Sequence, residues 1–470
     1  MKNWTATKVI ATIGPASNNI KIIDGLLQAG VNLFRLNFSH GDFNSHLESI
    51  KLIRARSEKS EIPIGLIQDL PGPKIRIGDL PSGPTTLKRG DKITLTASNV
   101  RDEEIPINYP NLYKEISVGN DIYIDDGNIR LKVQHIKNRK IICLVEIGGL
   151  LQPRKGVNLP GVKLSIRSLT EYDRKCVQYA IKHKIDFIAM SFVRTDDDMI
   201  ELRNLVQSYK GNQFLIAKIE KKEAVDDIDS ILKITDGVMV ARGDLGVEVP
   251  IEQVPGIQKF LITKCNLAGK PVITATQVLD SMVKNPRPTR AEATDAANAV
   301  LDGTDALMLS QETAVGNYPL ESVIVLKSII REAQKRLIPL CAASHGTSIF
   351  PDSAECVARS VCQTAIDLNV DIIATPTRSG HTARLISRFR PFSKIVAFSR
   401  IPSTRTHLHL SWGVYPLSVD KKYKFVDLIA FIKRGLIRNN MAKPKENIII
   451  TAGSPHSHAG ITNLMMVEKL

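Results

Sequence analysis

Short apolar, β-branched runs recur along this chain with helical patterns between most of them, and that alternation limits the fold more than any other feature. Eight such runs stand outside one long interruption: Lys8–Ile13, Leu33–Phe38, Gly65–Asp69, Phe187–Phe192, Phe214–Ile219, Gly237–Ala241, Pro271–Ala275 and Ala306–Ser310. Each reads as a strand. Amphipathic stretches such as Ser45–Glu58, Glu171–Lys184 and Ile251–Ala268 read as helices. Thr289-Arg290-Ala291-Glu292 has the form of a capping box, just after the breakers Pro286 and Pro288. A parallel sheet needs crossover helices and closure removes its edges, so the pattern predicts an α/β fold built on a (β/α)8 TIM barrel.

The interruption, residues 72–167, holds short strand-like pieces at Lys92–Thr96, Asp121–Ile124, Ile129–Ile136 and Ile141–Ile147, separated by turns such as Asp126-Gly127. It reads as a small β-barrel domain inserted after the third strand, leaving 1–71 and 168–340 for the large barrel. Residues 341–470 alternate strands Ile372–Thr375, Ile395–Phe398, Gly413–Tyr415 and Ile448–Thr451 with helices Ala354–Asn369 and Phe425–Arg438, which predicts a separate open α/β domain.

Composition adds exclusions. The chain has 470 residues, enough for two to four domains, and its 43% hydrophobic and 24% charged content is that of a soluble globular protein. No apolar run approaches the roughly 20 residues of a membrane helix, and Met1–Thr5 lacks a signal-peptide layout, so a cytoplasmic location is expected. The six cysteines form no CxxC pair and lack zinc-ligand spacing, which suits buried, reduced thiols. A net charge of +15 admits nucleic acid, anionic membranes or anionic metabolites as partners. Basic clusters such as Lys137-Asn138-Arg139-Lys140 are short and lack interleaved aromatics, so no nucleic-acid partner is expected.

Barrel active sites lie at the carboxyl ends of the strands. There the second run delivers Arg35, Asn37, Ser39 and His40, and the third Asp69. The fifth delivers Lys218 and Glu220, the sixth Arg242 and Asp244, the seventh Thr276 and Gln277, and the eighth Ser310 and Glu312. Any one alone reads equally well as a structural polar residue; together they converge on one mouth. Glu220 and Asp244, on neighbouring strand ends, suit a hard divalent cation, or else ion pairs with Lys218 or Arg242. Lys218 and Glu220 are two apart and share a strand face. A cation beside a metal site suits a phosphoryl group in transfer, and Arg35 adds a second. Gly243 permits close backbone approach, so amides near Gly243-Asp244 suit a carboxylate.

No GxxxxGK[ST] or strand-borne GxGxxG occurs, so a nucleotide would rest on scattered basic groups, with His40, Arg76 and Lys155 as candidates; Lys155 reads equally well as a surface lysine. In the last domain, Thr375-Pro376-Thr377-Arg378-Ser379-Gly380-His381-Thr382 lies between a strand and a helix. Its hydroxyls and amides suit a phosphate, or form an ordinary strand–helix turn.

Several segments, in order, resemble the pyruvate kinase family: Lys8–Ser17, Phe34-Arg35-Leu36-Asn37-Phe38-Ser39-His40-Gly41, Lys155–Gly161, Lys218-Ile219-Glu220, Ala241–Gly246, Asn285–Glu292 and Leu309–Thr313. The resemblance implies a barrel, a mobile β lid, a C-terminal regulatory domain, a homotetramer, and phosphoryl transfer from phosphoenolpyruvate to ADP with Mg2+, or Mn2+ in its place. It implies Glu220 and Asp244 as metal ligands, Lys218 and Arg35 at the transferring phosphoryl group, and Thr276 near the substrate carboxylate and enolate. Ser310 falls in a proton-relaying hydroxyl chain, and His40, Arg76 and Lys155 fall on the nucleotide side. Asn37, Ser39, Asp69 and the carbonyl of Leu70 match ligands of a monovalent cation. The 375–382 loop resembles an effector loop, implying activation by a sugar phosphate or AMP.

There are departures. Gln311 replaces a commonly small residue. Leu70 and Lys74 replace a common threonine and glutamate, and Lys74 offers a tethered ammonium, so K+ is not expected to be required. An extra C-terminal domain found in some bacterial members is not expected. Two rival readings share some of these features. A metal-dependent aldolase or lyase would share Glu220 and Asp244 without needing Arg76, Lys155 or the lid. A non-catalytic sensor or RNA binder would be favoured by loss of Lys218, Thr276 or a metal carboxylate, and all are present.

Overall fold

A computed structural model describes residues 4–59, 63–80, 82–97, 104–339, 352–421, 423–453 and 462–470. Three strands open the chain: β1 (Lys8–Ile13), β2 (Leu33–Asn37) and β3 (Gly65–Asp69). Five more follow the interruption: β12 (Phe187–Met190), β13 (Phe214–Ile219), β14 (Gly237–Ala241), β15 (Val272–Ala275) and β16 (Ala306–Leu309). They close on themselves in the order β1-β16-β15-β14-β13-β12-β3-β2, every pair parallel. The eight apolar runs are therefore the eight barrel strands. Two helix starts predicted or implied by sequence are capped as side-chain chemistry demands. Thr289 and Glu292 form the reciprocal box of helix Arg290–Leu301, and Thr170 with Asp173 does the same for Glu171–Lys182.

Ile10, Leu33, Ile67, Phe187, Phe214, Ile216, Met239, Ile273 and Met308 fill the barrel interior. Leu410, from the C-terminal part of the chain, joins that same cluster. The His407 ring lies 5.4 Å from Phe187 and 5.3 Å from Phe214. The floor of the barrel is thus completed by residues far away in sequence. A second apolar layer, outside the strands, is filled by the helices: Leu26, Ile53, Cys176, Leu202, Leu261 and Leu326 are buried there.

Between β3 and β12 the chain builds its own core. Strands β4 (Thr85–Leu87), β5 (Lys92–Thr96), β6 (Glu104–Pro106), β7 (Asp121–Ile124), β8 (Ile129–Lys137), β9 (Lys140–Ile147), β10 (Gly149–Leu151) and β11 (Val157–Asn158) form a sheet β11-β7-β8-β9-β5-β6 and a pair β10-β4. Ile122, Leu131 and Cys143 point inward, in alternation with more exposed neighbours such as Asp121, Arg130 and Lys132. The entry to this unit turns at Gly72 (φ 65°), where a Cβ would meet the Phe192 ring at 2.8 Å.

The C-terminal sheet runs β19 (Val414–Ser418), β18 (Lys394–Ser399), β17 (Ile372–Pro376), β20 (Asn447–Ala452), β21 (Leu464–Lys469), parallel except for β21. Sequence reading ended β19 at Tyr415, before a proline; the strand continues through Pro416 because it lies on the sheet edge, where a missing N–H is tolerated. This unit docks on the barrel floor through buried charges. Arg390 donates to Asp305 at 2.8 Å, to Asn266 at 2.5 Å and to the Gly303 carbonyl at 2.7 Å. Lys8, at the start of β1, donates to the Val414 carbonyl at 2.7 Å. Of the cysteines, five are described and free; Cys356 is half-buried rather than buried, and Cys341 lies outside the described residues.

Candidate active site

The buried carboxylate of Asp69, at the end of β3, organises the barrel mouth. Its Oδ2 accepts from Arg35 Nε at 2.7 Å, and its Oδ1 from Lys218 Nζ at 2.9 Å. Burial alone would raise the Asp69 pKa, but the charges of Lys218 and Arg35 outweigh it and hold the carboxyl below its ordinary value. Lys218 also donates to Ser191 Oγ at 2.6 Å and to Glu220 Oε1 at 2.9 Å. Burial disfavours its charge, yet Asp69 and Glu220 reverse that and push its pKa up. The two-residue spacing of Lys218 and Glu220 places both on one strand face, and they pair directly. Arg35 additionally reaches Thr12 Oγ1 at 3.1 Å.

Glu220 is 1% exposed and its Oε2 accepts from the Phe192 amide at 2.8 Å. Burial raises its pKa, Lys218 opposes this, and the nearby negative charge of Asp244 raises it further. Two carboxylates close enough to repel, one of them buried, make a donor set suited to a hard divalent cation with positions left for water and substrate oxygens. Among the described residues no three His, Cys, Asp or Glu side chains cluster for a metal, so such a site would depend on those outside oxygens. Asp244 Oδ1 lies 3.6 Å from Lys74 Nζ. Lys74 thus turns into the mouth, towards a predicted metal ligand rather than towards Asp69.

Thr276 follows β15 with φ 64°, and Gln277 with φ 52°. A β-branched residue in the left-handed region is strained, by about 1–3 kcal/mol. Arg242 holds the turn: its Nη2 donates to the carbonyls of Thr276 at 3.0 Å and Gln277 at 3.2 Å, while Nη1 pairs with Asp295 at 2.6 Å. The Gly243 amide, predicted to be available for a carboxylate, donates to Thr276 Oγ1 at 2.8 Å. Ser310 donates its amide to Glu312 Oε2 at 2.7 Å, while its buried hydroxyl has no partner among the described residues.

The remaining candidates are more dispersed. His40 and Ser39 are exposed, and Asn37 Oδ1 accepts from the Ser39 amide at 3.1 Å. The Leu70 carbonyl accepts from Ser191 Oγ at 2.6 Å. Arg76 donates to the Arg154 carbonyl at 3.0 Å, and Lys155 pairs with Asp125 at 2.8 Å. Lys74, Asn158, Phe192 and Lys221 line a cleft between the inserted sheet and the barrel mouth.

Sequence reading passed over Ser191 and Thr12. Ser191 is the first residue past β12, at the same carboxyl end of the strand that located Asp69 on β3. Thr12 lies within the apolar run of β1, where only its register beside Arg35 marks it.

In the C-terminal loop, Thr377 Oγ1 accepts from the Gly380 amide at 2.9 Å, and the Arg378 carbonyl accepts from Thr404 at 2.8 Å. Ser379 Oγ accepts from the His381 amide at 3.4 Å. Thr375 and Thr382 turn inward; Thr382 Oγ1 meets Thr462 Oγ1 at 2.6 Å. Thr377, Arg378, Arg400, Lys421 and Tyr423 border a cleft of about 270 Å³.

Residues 4–323 match the family description "Pyruvate kinase, barrel domain", and residues 355–468 match "Pyruvate kinase, alpha/beta domain". The chain is 43% identical to a pyruvate kinase of Geobacillus stearothermophilus over 98% of its own length and 80% of that protein's. It is 41% identical to one of Thermococcus litoralis, over 99% and 98% respectively. A solved pyruvate kinase of Cryptosporidium parvum superposes with a TM-score of 0.93 at 36% identity, covering 99% of this chain and 96% of that one. With the closed barrel, the paired carboxylates and cations at its mouth and these likenesses all in agreement, the chain belongs to the pyruvate kinase family, phosphotransferases acting between phosphoenolpyruvate and ADP.

Proposed function

We propose that the cluster Arg35–Asp69–Lys218–Glu220, with Asp244 beside it, is where phosphoryl transfer takes place. The observation that carries this is Lys218, a buried ammonium held charged by Asp69 and Glu220 at the strand ends. Glu220 and Asp244 would hold a divalent ion, Mg2+ or Mn2+. When bound, that ion would neutralise phosphoryl oxygens and polarise the substrate. Lys218 and Arg35 present fixed positive charge where negative charge gathers in transfer, and being positioned by Asp69 they need no reorganisation. Lys218 would stay on Asp69 and Ser191 and turn only the N–H now on Glu220 to the phosphoryl group, as Glu220 turns to the metal. Thr276, fixed by Arg242, would orient the substrate carboxylate beside Gly243 and Asp244. Ser310, with a hydroxyl lacking a protein partner, is suited to bond a water and pass a proton to the enolate carbon.

His40, Arg76 and Lys155 would contact the nucleotide once the inserted unit, 72–167, closes over the mouth of the barrel formed by 1–71 and 168–340. Lys74 would stand in for K+ by adding a fixed ammonium beside Asp244. Unit 341–470 would bind a phosphorylated effector, a sugar phosphate or AMP, at the loop of Thr377, Arg378, Ser379, Gly380 and His381. The chain would work as a cytoplasmic homotetramer. Among the described residues no helix is long and apolar enough to cross a membrane.

The test is ADP-dependent pyruvate formation in wild type and Glu220→Gln, over a titration of Mn2+. Activity lost with weakened Mn2+ binding fits these roles. Glu220→Gln with unaltered Mn2+ affinity and turnover would refute them.

A further inference from the structure

Away from the mouth, a cleft of about 270 Å³ opens where the N-terminal segment, the end of helix Pro319–Gln334 and the C-terminal unit meet. Its walls include the exposed ring of Phe392 beside Trp4, whose other side meets Lys394, with Trp412, almost wholly buried under Arg390, behind them. Arg331, Lys335 and Arg390 are its cations, and no Asp or Glu among the described residues lines it. Phe392 is 67% exposed, an unusual position for a large apolar ring. Three buried N–H groups on these residues, Trp4 Nε1, Trp412 Nε1 and Arg390 Nε, have no acceptor among the described residues. Arg390 spends Nη2 on the contacts to Asn266, Gly303 and Asp305 and Nη1 on Ser387 of its own unit, which leaves Nε over. Buried donors are ordinarily satisfied, so three orphans around one cleft mark a shortage of acceptors there. Among the described residues Lys335 pairs only with Glu332, its neighbour on the helix, and both are largely exposed. Such a pair is weak and free to exchange partners. Arg331 Nε donates to the Lys327 carbonyl at 3.2 Å.

We propose that this cleft binds a small organic anion carrying an aromatic ring. The ring would stack on Phe392 beside Trp4, with Trp412 forming the buried wall behind, and the carboxylate or phosphate would face Arg331 and Lys335. Flat aromatic walls select a ring over an aliphatic chain, and the absence of lining carboxylates selects an anion over a neutral molecule. Because its walls come from both the barrel side and the C-terminal unit, the occupant would also tie the two together.

The chain has two tryptophans, and both line this cleft, so intrinsic tryptophan fluorescence reports on it directly. Benzoate and phenyl phosphate are titrated into the full-length enzyme, with benzamide and inorganic phosphate as arms lacking the charge and the ring. A saturable change is expected with both aromatic anions, together with a rise in melting temperature, and much weaker responses in the other two arms. Arg331→Ala/Lys335→Ala, on an exposed helix end, should weaken benzoate binding about tenfold or more. Phe392→Ala should weaken it as well, with folding checked by circular dichroism. No saturable change, an equal response to benzamide or phosphate, or full affinity in the double variant would each overturn the proposal.

Discussion

Two buried lysines lie at opposite ends of one barrel, and their surroundings could hardly differ more. Lys218 at the mouth meets two carboxylates, and its pKa is raised. Lys8 at the floor donates to a backbone carbonyl and has Lys327 and His409 for neighbours, with Asp305 too weak an influence to compensate. Burial first, then Lys327, lowers its pKa to about 7. Lys327 itself, bonded to Thr5 and the Gly30 carbonyl, is lowered to about 8, again chiefly by burial. Burial is the same at both ends; the difference is whether acids are supplied. A charge stabilised by acids that can be lent to a ligand is kept for chemistry, whereas one left with neutral acceptors serves packing.

The sharpest way to break this contrast is Lys218→Met. It should lower kcat by about three orders of magnitude or more while Mn2+ still binds. A kcat within about tenfold of wild type would end the distinction between the two ends. Arg242→Lys comes next. It keeps the charge but loses the fork that spans two carbonyls, so the strained Thr276 turn should relax and kcat fall about a hundredfold. An unaltered kcat would show that the turn holds without its clamp. Wild type should be indifferent to K+ at constant ionic strength while Lys74→Glu responds several-fold; a wild type already activated many-fold would refute the tethered-ammonium role.

The smallest effect on catalysis should come from the floor. Lys8 has a folded pKa near 7, below its unfolded value of 10.5, so above about pH 7 the unfolded chain binds more protons. Its contribution therefore raises stability as pH rises through that window, and Lys8→Met should flatten the rise while leaving kcat unchanged. The mouth responds on the acid side: Asp69, its pKa depressed, loses its contribution as pH falls below 3.8. Denaturant midpoints across pH for wild type and Lys8→Met check both signs. An unchanged alkaline slope in the variant would contradict the assignment.

Much of this was legible in the sequence because the strands are mostly apolar and the polar residues at or just past their carboxyl ends lie at the mouth. Asp69, Lys218, Glu220 and Asp244 follow from that rule, and so would Ser191. Thr12 escapes it, being a polar residue inside an apolar run. What periodicity cannot carry is long-range pairing. Nothing local tells that Lys74 meets Asp244, that Arg242 wraps the Thr276 turn, or that Arg390 reaches Asp305 beneath the barrel. These contacts join side chains brought together by closure of the barrel and by docking of the C-terminal unit. The inward turn of Thr375 and Thr382 escaped for the same reason: a loop of hydroxyls does not reveal which ones the fold buries.

Leu410 and His407 close the barrel floor from the far end of the polypeptide. On the ribosome, therefore, all eight barrel strands emerge before the residues that seal them. Phe187 and Phe214 would meet water or another chain during that interval. Severing the chain after residue 339 would make the delay permanent, which leaves the C-terminal unit a partner in synthesis.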